Sequence, residues 1–385
     1  MPEEKTGKKE RQVRMRHLGR RGQIEVYLGK MLRMFLYQSD WLVLPMSALI
    51  AGLVGMVIAG RFHVYMEGTA MSALAIACAC LWNGCFNSFQ VICRERGVIK
   101  REHRNGMHIT SYIAAHMMYQ AMLCFAQTFI SLYVFRLIGV EFPERGVFFS
   151  SFPVEFFISM FLMTYAADMM ALWLSCLART TTAAMTIMPV VLIFQLIFSG
   201  GMMTLPDEVK SVQDFTISSW GIKLISAESD YNNQPLSTAW NSLWGMRGTE
   251  MNATFTVGQA LDFIEESDNR TVRQFRDSAL VEDDELLGTI TVHDVADFLR
   301  TEEGAQEIRD KTVDIHITLG ELMDIVGAEK VRTYVLDTTS AAAAKAEYAF
   351  TRENVSHYWI MLLGFCVLFA GLATVTLEFI DRDKR

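Results

Sequence analysis

The chain has 385 residues, 51% of them hydrophobic and 20% charged, with a formal net charge of −8. Its apolar residues fall in nearly charge-free runs of roughly 19 to 28, and about 20 residues of helix cross the hydrocarbon of a bilayer, which excludes an ordinary soluble globule. Charge is also divided: residues 204–352 hold 27 Asp/Glu against 13 Lys/Arg, a balance of −14 that leaves +6 on the remainder, so two differently solvated sides are expected and no nucleic-acid partner is.

Residues 1–22 read as a basic, disordered cytoplasmic tail, with no cleavable signal peptide. From Gln23 to about Asp40 the pattern changes. Ile24, Tyr27, Leu28, Met31, Leu32 and Phe35 recur at helical spacing with Glu25, Lys30 and Arg33 between them, which predicts an amphipathic helix lying on the membrane surface. Residues 41–203 then hold five expected spans, at about 41–59, 70–93, 111–138, 151–177 and 182–203. Between the second and third lies the segment 94–106, with five Lys/Arg and two Glu. It is at least a topogenic loop held inside, and on a sharper reading a docking surface for a cytoplasmic motor. The acidic block follows at 204–352, and residues 353–385 carry a sixth span, about 357–379, and a short tail. The basic N-terminus, the 94–106 segment, Arg179 and the basic C-terminus all fall on one side, which predicts a multi-pass plasma-membrane protein with both termini cytoplasmic and the acidic block outside.

The acidic block contains four helix-start patterns, Thr256 with Gln259, Thr271 with Gln274, Thr291 with Asp294 and Thr318 with Glu321, so it reads as a helical extracytoplasmic domain. The runs starting at Thr256, Thr291 and Thr318 resemble one another over nine residues, but their unequal spacing argues against a regular solenoid. The alanines at 341–344 suggest a helix running unbroken into the sixth span. All seven cysteines lie in apolar runs, so no disulfide framework forms in the acidic block, and Cys78, Cys80 and Cys85 read as buried hydrophobes rather than metal ligands. The sequons at Asn252, Asn269 and Asn354 carry no weight in a bacterial protein, which the chain is expected to be.

No phosphate-cradling loop follows from Gly29-Lys30, and no metalloprotease or nucleophile-elbow pattern occurs, so an enzyme is not expected. The order of features carries a resemblance instead. An amphipathic helix precedes a first span. A second span leads to a charged segment containing Glu95, Arg96, Arg101, Glu102 and Gly106, and a third opens at Tyr112. Phe198-Ser199-Gly200-Gly201, then Leu205-Pro206 and Trp220, follow the fifth. This resembles the membrane domain of type-2 ABC exporters, most nearly the G subfamily of half-transporters, over about residues 23–230 and 340–385. The resemblance implies an all-α integral membrane fold with six transmembrane helices. It makes Glu95, Arg96, Arg101, Glu102 and Gly106 the ATPase-coupling residues, with Tyr27, Lys30 and Arg33 on a connecting helix beside them. It also implies a membrane-domain dimer, homo- or heteromeric, in contact with membrane lipid. Unlike the G subfamily, this chain has no room for an ATPase before residue 23, so a separate ABC ATPase subunit is expected, holding the ATP and Mg; no cofactor is expected on this chain.

Within the spans, Asn83, Asn87 and Gln90 lie at i, i+4 and i+7, on one helix face, and Asp168 lies at similar depth in the fourth span. With no Lys or Arg at that depth, Asp168 is expected to bond Asn83 or Asn87, or to be protonated. These residues, with Gln195, are either a polar clamp between spans or the lining of a substrate path. The expected function is a permease subunit moving an amphipathic or hydrophobic drug, lipid or peptide by alternating access. The alternatives are an antimicrobial-peptide sensing or immunity module, or a membrane-anchored interaction protein, either using the outer domain.

Overall fold

Small residues decide how the long helices meet. In the computed structural model, which describes residues 19–37, 40–203, 205–266, 270–283, 288–301 and 305–379, the chain divides into two units, Pro235–Ala343 and the rest. The larger unit is helical. Its elements are α1 (Arg20–Tyr37), α2 (Val43–Ile58), α3 (Met66–Ser88), α4 (Val91–Arg104), α5 (Ile109–Ile138), α6 (Phe152–Leu177), α7 (Thr181–Ile197), α8 (Asp207–Gln213) and α9 (Ile217–Glu228), and the final helix, Arg352–Glu378, described below as α17. Among the described residues, five stretches are long and apolar enough to cross a membrane: Asp40–Ile58, Met66–Arg104, Ile109–Ile138, Phe152–Leu177 and Arg352–Glu378. The helix α7, expected to run to about residue 203, is apolar but has 17 residues. It stops because the Ser199 hydroxyl donates to the Leu196 carbonyl at 2.7 Å and accepts from the Gly201 N–H at 3.1 Å, while Gly200 takes a left-handed φ of +72°.

The pair α3 and α6 forms the middle of this unit. Gly84 faces the backbone of α6, where a Cβ would collide with the Thr164 carbonyl and the Asp168 N–H, so the two helices touch main chain to main chain. Against the other side of α6 lies α17, with Trp173 stacked on Phe369 at 5.6 Å and its indole N–H donating to Thr376 at 3.3 Å.

After α8 the chain turns back into the bundle. Every residue of α9 except Lys223 is buried, and its sequence, Ile217-Ser-Ser-Trp-Gly-Ile-Lys-Leu-Ile-Ser-Ala-Glu228, is apolar or small nearly all round, as a helix enclosed on all sides must be. Gln195 of α7 holds it there: the Ser218 N–H donates to the Gln195 side chain at 3.3 Å and the Ser218 hydroxyl to the Gln195 carbonyl. At the other end the Ser159 hydroxyl donates to Glu228 and accepts from the Trp359 indole at 2.8 Å. Residues 205–234, grouped in the sequence with the acidic block, thus pack among the spans.

The smaller unit corrects the all-helical expectation. It consists of α10 (Ser237–Gly245), β1 (Glu250–Thr256), α11 (Val257–Glu266), α12 (Arg270–Arg276), β2 (Ala279–Asp283), β3 (Gly288–Thr291), α13 (Val292–Thr301), α14 (Gln306–Arg309), β4 (Thr312–Thr318), α15 (Leu319–Val326) and α16 (Ala328–Ala343). The strands β1 and β4 pair antiparallel, from Glu250 opposite Thr318 to Thr256 opposite Thr312, and β2 pairs antiparallel with β3. Thr312-Val-Asp-Ile-His-Ile-Thr318 alternates apolar and polar, the period of a half-buried strand. Each of the three similar runs is a strand-to-helix junction. Thr256, Thr291 and Thr318 end a strand, and each exchanges hydrogen bonds with the side chain and N–H of the residue three further on, forming the capping box. The fourth pattern forms no such start, because Thr271 lies inside α12. The expected continuous helix into the last span is also absent. The helix α16 ends at Ala343, a 3-10 turn spans Ala346–Tyr348, and α17 (Arg352–Glu378) starts afresh with Thr351 accepting from the Asn354 N–H.

Replacing Gly84 with Ala should lower stability by about 1–3 kcal/mol, since neither helix backbone can yield, measured as the midpoint of unfolding in detergent. A pH dependence is expected in the smaller unit. The Glu265 carboxylate, 2.6 Å from the His293 ring, raises that imidazole above its ordinary 6.5, so its contribution is complete below that value and fades as pH rises through the raised one. Thr291 and Thr318 lower the Asp294 and Glu321 carboxyls, whose contributions hold above the ordinary values of 3.8 and 4.5 and are lost as pH falls. Amide exchange on the full chain should therefore show α13 best protected between about pH 3.8 and 6.5; protection that stays flat from pH 4 to 8 would contradict it.

Candidate functional site

The segment 94–106 is mostly helix. The connection from α3 is brief, and α4 begins where Ser175 of α6 accepts hydrogen bonds from the Ile92 and Cys93 N–H groups at 3.1 and 3.2 Å, capping donors that the helix start leaves unpaired. One turn on, the Arg96 guanidinium donates to the Cys176 and Ala178 carbonyls at 2.9 and 3.1 Å, caps for the last turn of α6. Ile92 and Ile99 are buried beneath.

Across α4 lies α1. Lys30 meets Glu95 at 2.9 Å, the Tyr27 hydroxyl donates to Glu102 at 3.0 Å, and the Gln23 side chain donates to the Gly106 carbonyl while accepting from the His108 N–H. Burial, then the hydrogen bond and charge of Glu102, push the Tyr27 hydroxyl well above its ordinary value, so it stays a donor. The Lys30 and Glu95 side chains are 35% and 18% exposed, and an ion pair that open is worth at most about 1 kcal/mol. The apolar contacts of Ile92 and Ile99, with Ser175 and Arg96, therefore hold α4 more firmly than its charge pair does. Gly106 turns the chain toward α5 with a φ of +97°, a conformation that costs a glycine little.

The structure thus brings together Tyr27, Lys30, Glu95, Arg96, Glu102 and Gly106, but as internal braces. Arg33 is exposed on α1 and Arg101 on α4, and neither has a hydrogen bond or ion pair among the described residues. The exposed face of α4 is the stripe Arg94, Gly97, Val98, Arg101, Arg104 and Asn105, at helical spacing.

A cavity of about 660 Å³ lies between α1, α3, α5 and α7, lined by the charged Lys30, Arg94 and Glu95 and by the apolar Trp82, Met188 and Leu192 among others. Of the intramembrane polar residues singled out in the sequence, Asn87 and Gln90 line it; Asn83, Asp168 and Gln195 do not. Gln90 is also not on the same helix as the asparagines, because α3 ends at Ser88 and Gln90 precedes α4. Asp168 finds neither asparagine amide as a donor. Asn87 exchanges hydrogen bonds with Gln127 at 2.8 and 3.0 Å, and Asp168 accepts from the Cys124 thiol at 3.4 Å with its other oxygen unpartnered. The residues missed in the sequence are His116 and Gln120 on α5. With Tyr112, noted there only as opening the third span, they stand at i, i+4 and i+8, and that polar stripe in an apolar run was the available signal.

Residues 30–225, a little over half of the sequence, match the ABC-2 type transporter family. The chain belongs to that family. As an ABC-2 type chain it is a multi-pass membrane protein and a permease component of a transporter. Over 139 residues it is 30% identical to an ABC transporter ATP-binding/permease protein of Mycobacterium tuberculosis, a similarity covering 35% of this chain and 16% of the relative. The family match takes in α1's end, α4 and the cavity, and stops before the smaller unit and α17.

Replacing Asn87 alone with Leu should strand the Gln127 amide in hydrocarbon and cost about 1–3 kcal/mol, whereas the Asn87→Leu/Gln127→Leu pair should recover much of that loss in detergent unfolding. A double variant as unstable as the sum of the singles would contradict the pairing.

Proposed function

We propose that this chain is the permease subunit of an ATP-driven exporter, with an ABC ATPase carried on a separate subunit and docked on the exposed face of α4. The observation that supports this most is the mounting of that helix. It is tied on one side to α1 and on the other to the end of α6, so a push on its open face reaches both helices at once. Three arginines and Val98 on that face suit a groove with acidic walls and an apolar floor. In this reading the basic end of the bundle and both termini are cytoplasmic, α7 completes a set of six spans with its outer end closed by α9, and the smaller unit stands outside. A second membrane subunit completes the pathway. ATP-driven closure of the two ATPases moves α4 and swings the bundle from inward to outward access. The cargo is amphipathic or hydrophobic, in keeping with a cavity walled by methionine and aromatic side chains.

The full chain, tagged and purified in mild detergent, should carry an ABC ATPase with it. Arg101→Glu and Val98→Asp, both on the exposed face, should each reduce that capture roughly tenfold or more without changing the thermal stability of the permease. Capture that survives both variants unchanged would remove α4 as the docking element.

A further inference from the structure

The stripe on α5 is oddly unsatisfied. Tyr112, His116 and Gln120 are 1%, 3% and 1% exposed, yet the Tyr112 hydroxyl, both ring nitrogens of His116 and the Gln120 side-chain oxygen have no hydrogen-bond partner among the described residues. His116 does have a neighbour, the Tyr112 ring at 4.6 Å and 72° to it, but this ring contact is not a hydrogen bond to either nitrogen. Leaving a buried polar atom unpaired costs about 1–3 kcal/mol, so three such groups on one face of one helix call for a partner. Two of them, His116 and Gln120, line the cavity between α1, α3, α5 and α7. At 1.5 Å per residue they lie ~10 Å and ~16 Å along α5 from its start at Ile109.

The charged lining residues narrow the class of ligand. Lys30 and Glu95 neutralise one another, leaving Arg94, which has no ion pair or side-chain hydrogen bond among the described residues, and Asp40, so the formal charge there sums to zero. The apolar lining includes Trp82, Phe86, Met188 and Leu192, where a net charge would be costly to bury. A volume of about 660 Å³ is that of a site for one drug-sized molecule.

We propose that this cavity, within a single chain, binds a drug-sized amphiphile of no net charge, whose amide, ester or hydroxyl groups hydrogen-bond to His116 and Gln120 while its apolar part lies along α3 and α7. The proposal rests on the permease reading and deepens it by naming the cargo class and the residues that recognise it. His116 supplies a donor and an acceptor as a neutral imidazole, and the Gln120 oxygen supplies a second acceptor.

The test uses the full chain in nanodiscs of zwitterionic lipid, without nucleotide or ATPase, and a stearamide carrying a nitroxide on its chain. Electron paramagnetic resonance should show a saturable immobilised component. His116→Phe and Gln120→Leu should each weaken it roughly fivefold or more, and His116→Gln, which keeps hydrogen-bonding groups, should stay within about twofold of the unaltered chain. Met188→Trp, filling the cavity from α7, should abolish it without touching α5. The stearate analogue, with its carboxylate, should bind more weakly. An isotherm unchanged by all four variants, unsaturable partitioning alone (a cavity holding only solvent), or tighter binding of stearate would overturn the proposal. ATPase capture by the same preparations separates the two ideas: capture without saturable binding removes the site and leaves the permease reading, and binding without capture does the reverse.

Discussion

The backbone-to-backbone contact of α3 and α6 at Gly84 is what the rest of the larger unit depends on. In hydrocarbon no hydrophobic force drives helices together, so close packing and buried hydrogen bonds must do it, and both need helices that approach closely. Where α3 and α6 meet, the neighbouring Asn87, Cys124, Gln127 and Asp168 join α5 to the pair. At the basic end the same two helices fix α4, one by running into it and the other by capping it with Ser175 and accepting from Arg96. At the opposite end α6 holds α9 through Ser159 and Glu228. One close contact therefore sets the position of both ends of the bundle.

That arrangement explains why the charged segment divides its labour. The helix α4 has one face packed on the protein and one exposed, and it uses them for different purposes. Glu95, Arg96 and Glu102 face inward and are spent on Lys30, the carbonyls of α6 and Tyr27. Arg94, Val98, Arg101 and Arg104 face outward. Arg101→Glu changes the outward face, whereas Glu95→Ala loosens α1 from α4, and the two faults are physically distinct even though both residues belong to one charged motif.

Much of this was legible in the sequence, because the strongest signals are long and periodic. The apolar runs read as spans, and the amphipathic pattern of Tyr27 and Lys30 placed α1. The interior of the charged segment was less legible, since its helical period fixes which residues share a face but not which face turns inward; buried Ile92 and Ile99 decide that, and they are ordinary isoleucines in sequence. The helix α9 was hidden for a related reason. With Ser218, Ser219, Gly221, Ser226 and Glu228 it is too polar and too short to read as membrane-embedded, and only a ring of neighbours (Gln195, Ser159 and Trp359) makes that composition tolerable. Strands β1 and β4 were missed because each is short and the capping box at its end is a stronger local signal for the helix that follows.

The same reasoning separates structural polar groups from functional ones in the bundle. Asn87 with Gln127, and Gln195 with Ser218, are closed sets: their side chains answer one another or the neighbouring backbone, and such pairs hold helices together even though Asn87 also borders the cavity. The stripe of Tyr112, His116 and Gln120 is open, with buried atoms left unpartnered beside a cavity. A bundle that only had to stand in a membrane would gain stability by making those positions apolar. Their cost is borne in the same helix whose start, at Tyr112, rests its ring against Tyr27 of α1, 5.3 Å away. The polar stripe thus begins where α1 and α4 are braced and climbs from there into the cavity wall, so a displacement of α4 that pulled on Tyr27 would be felt first by the residues left without partners.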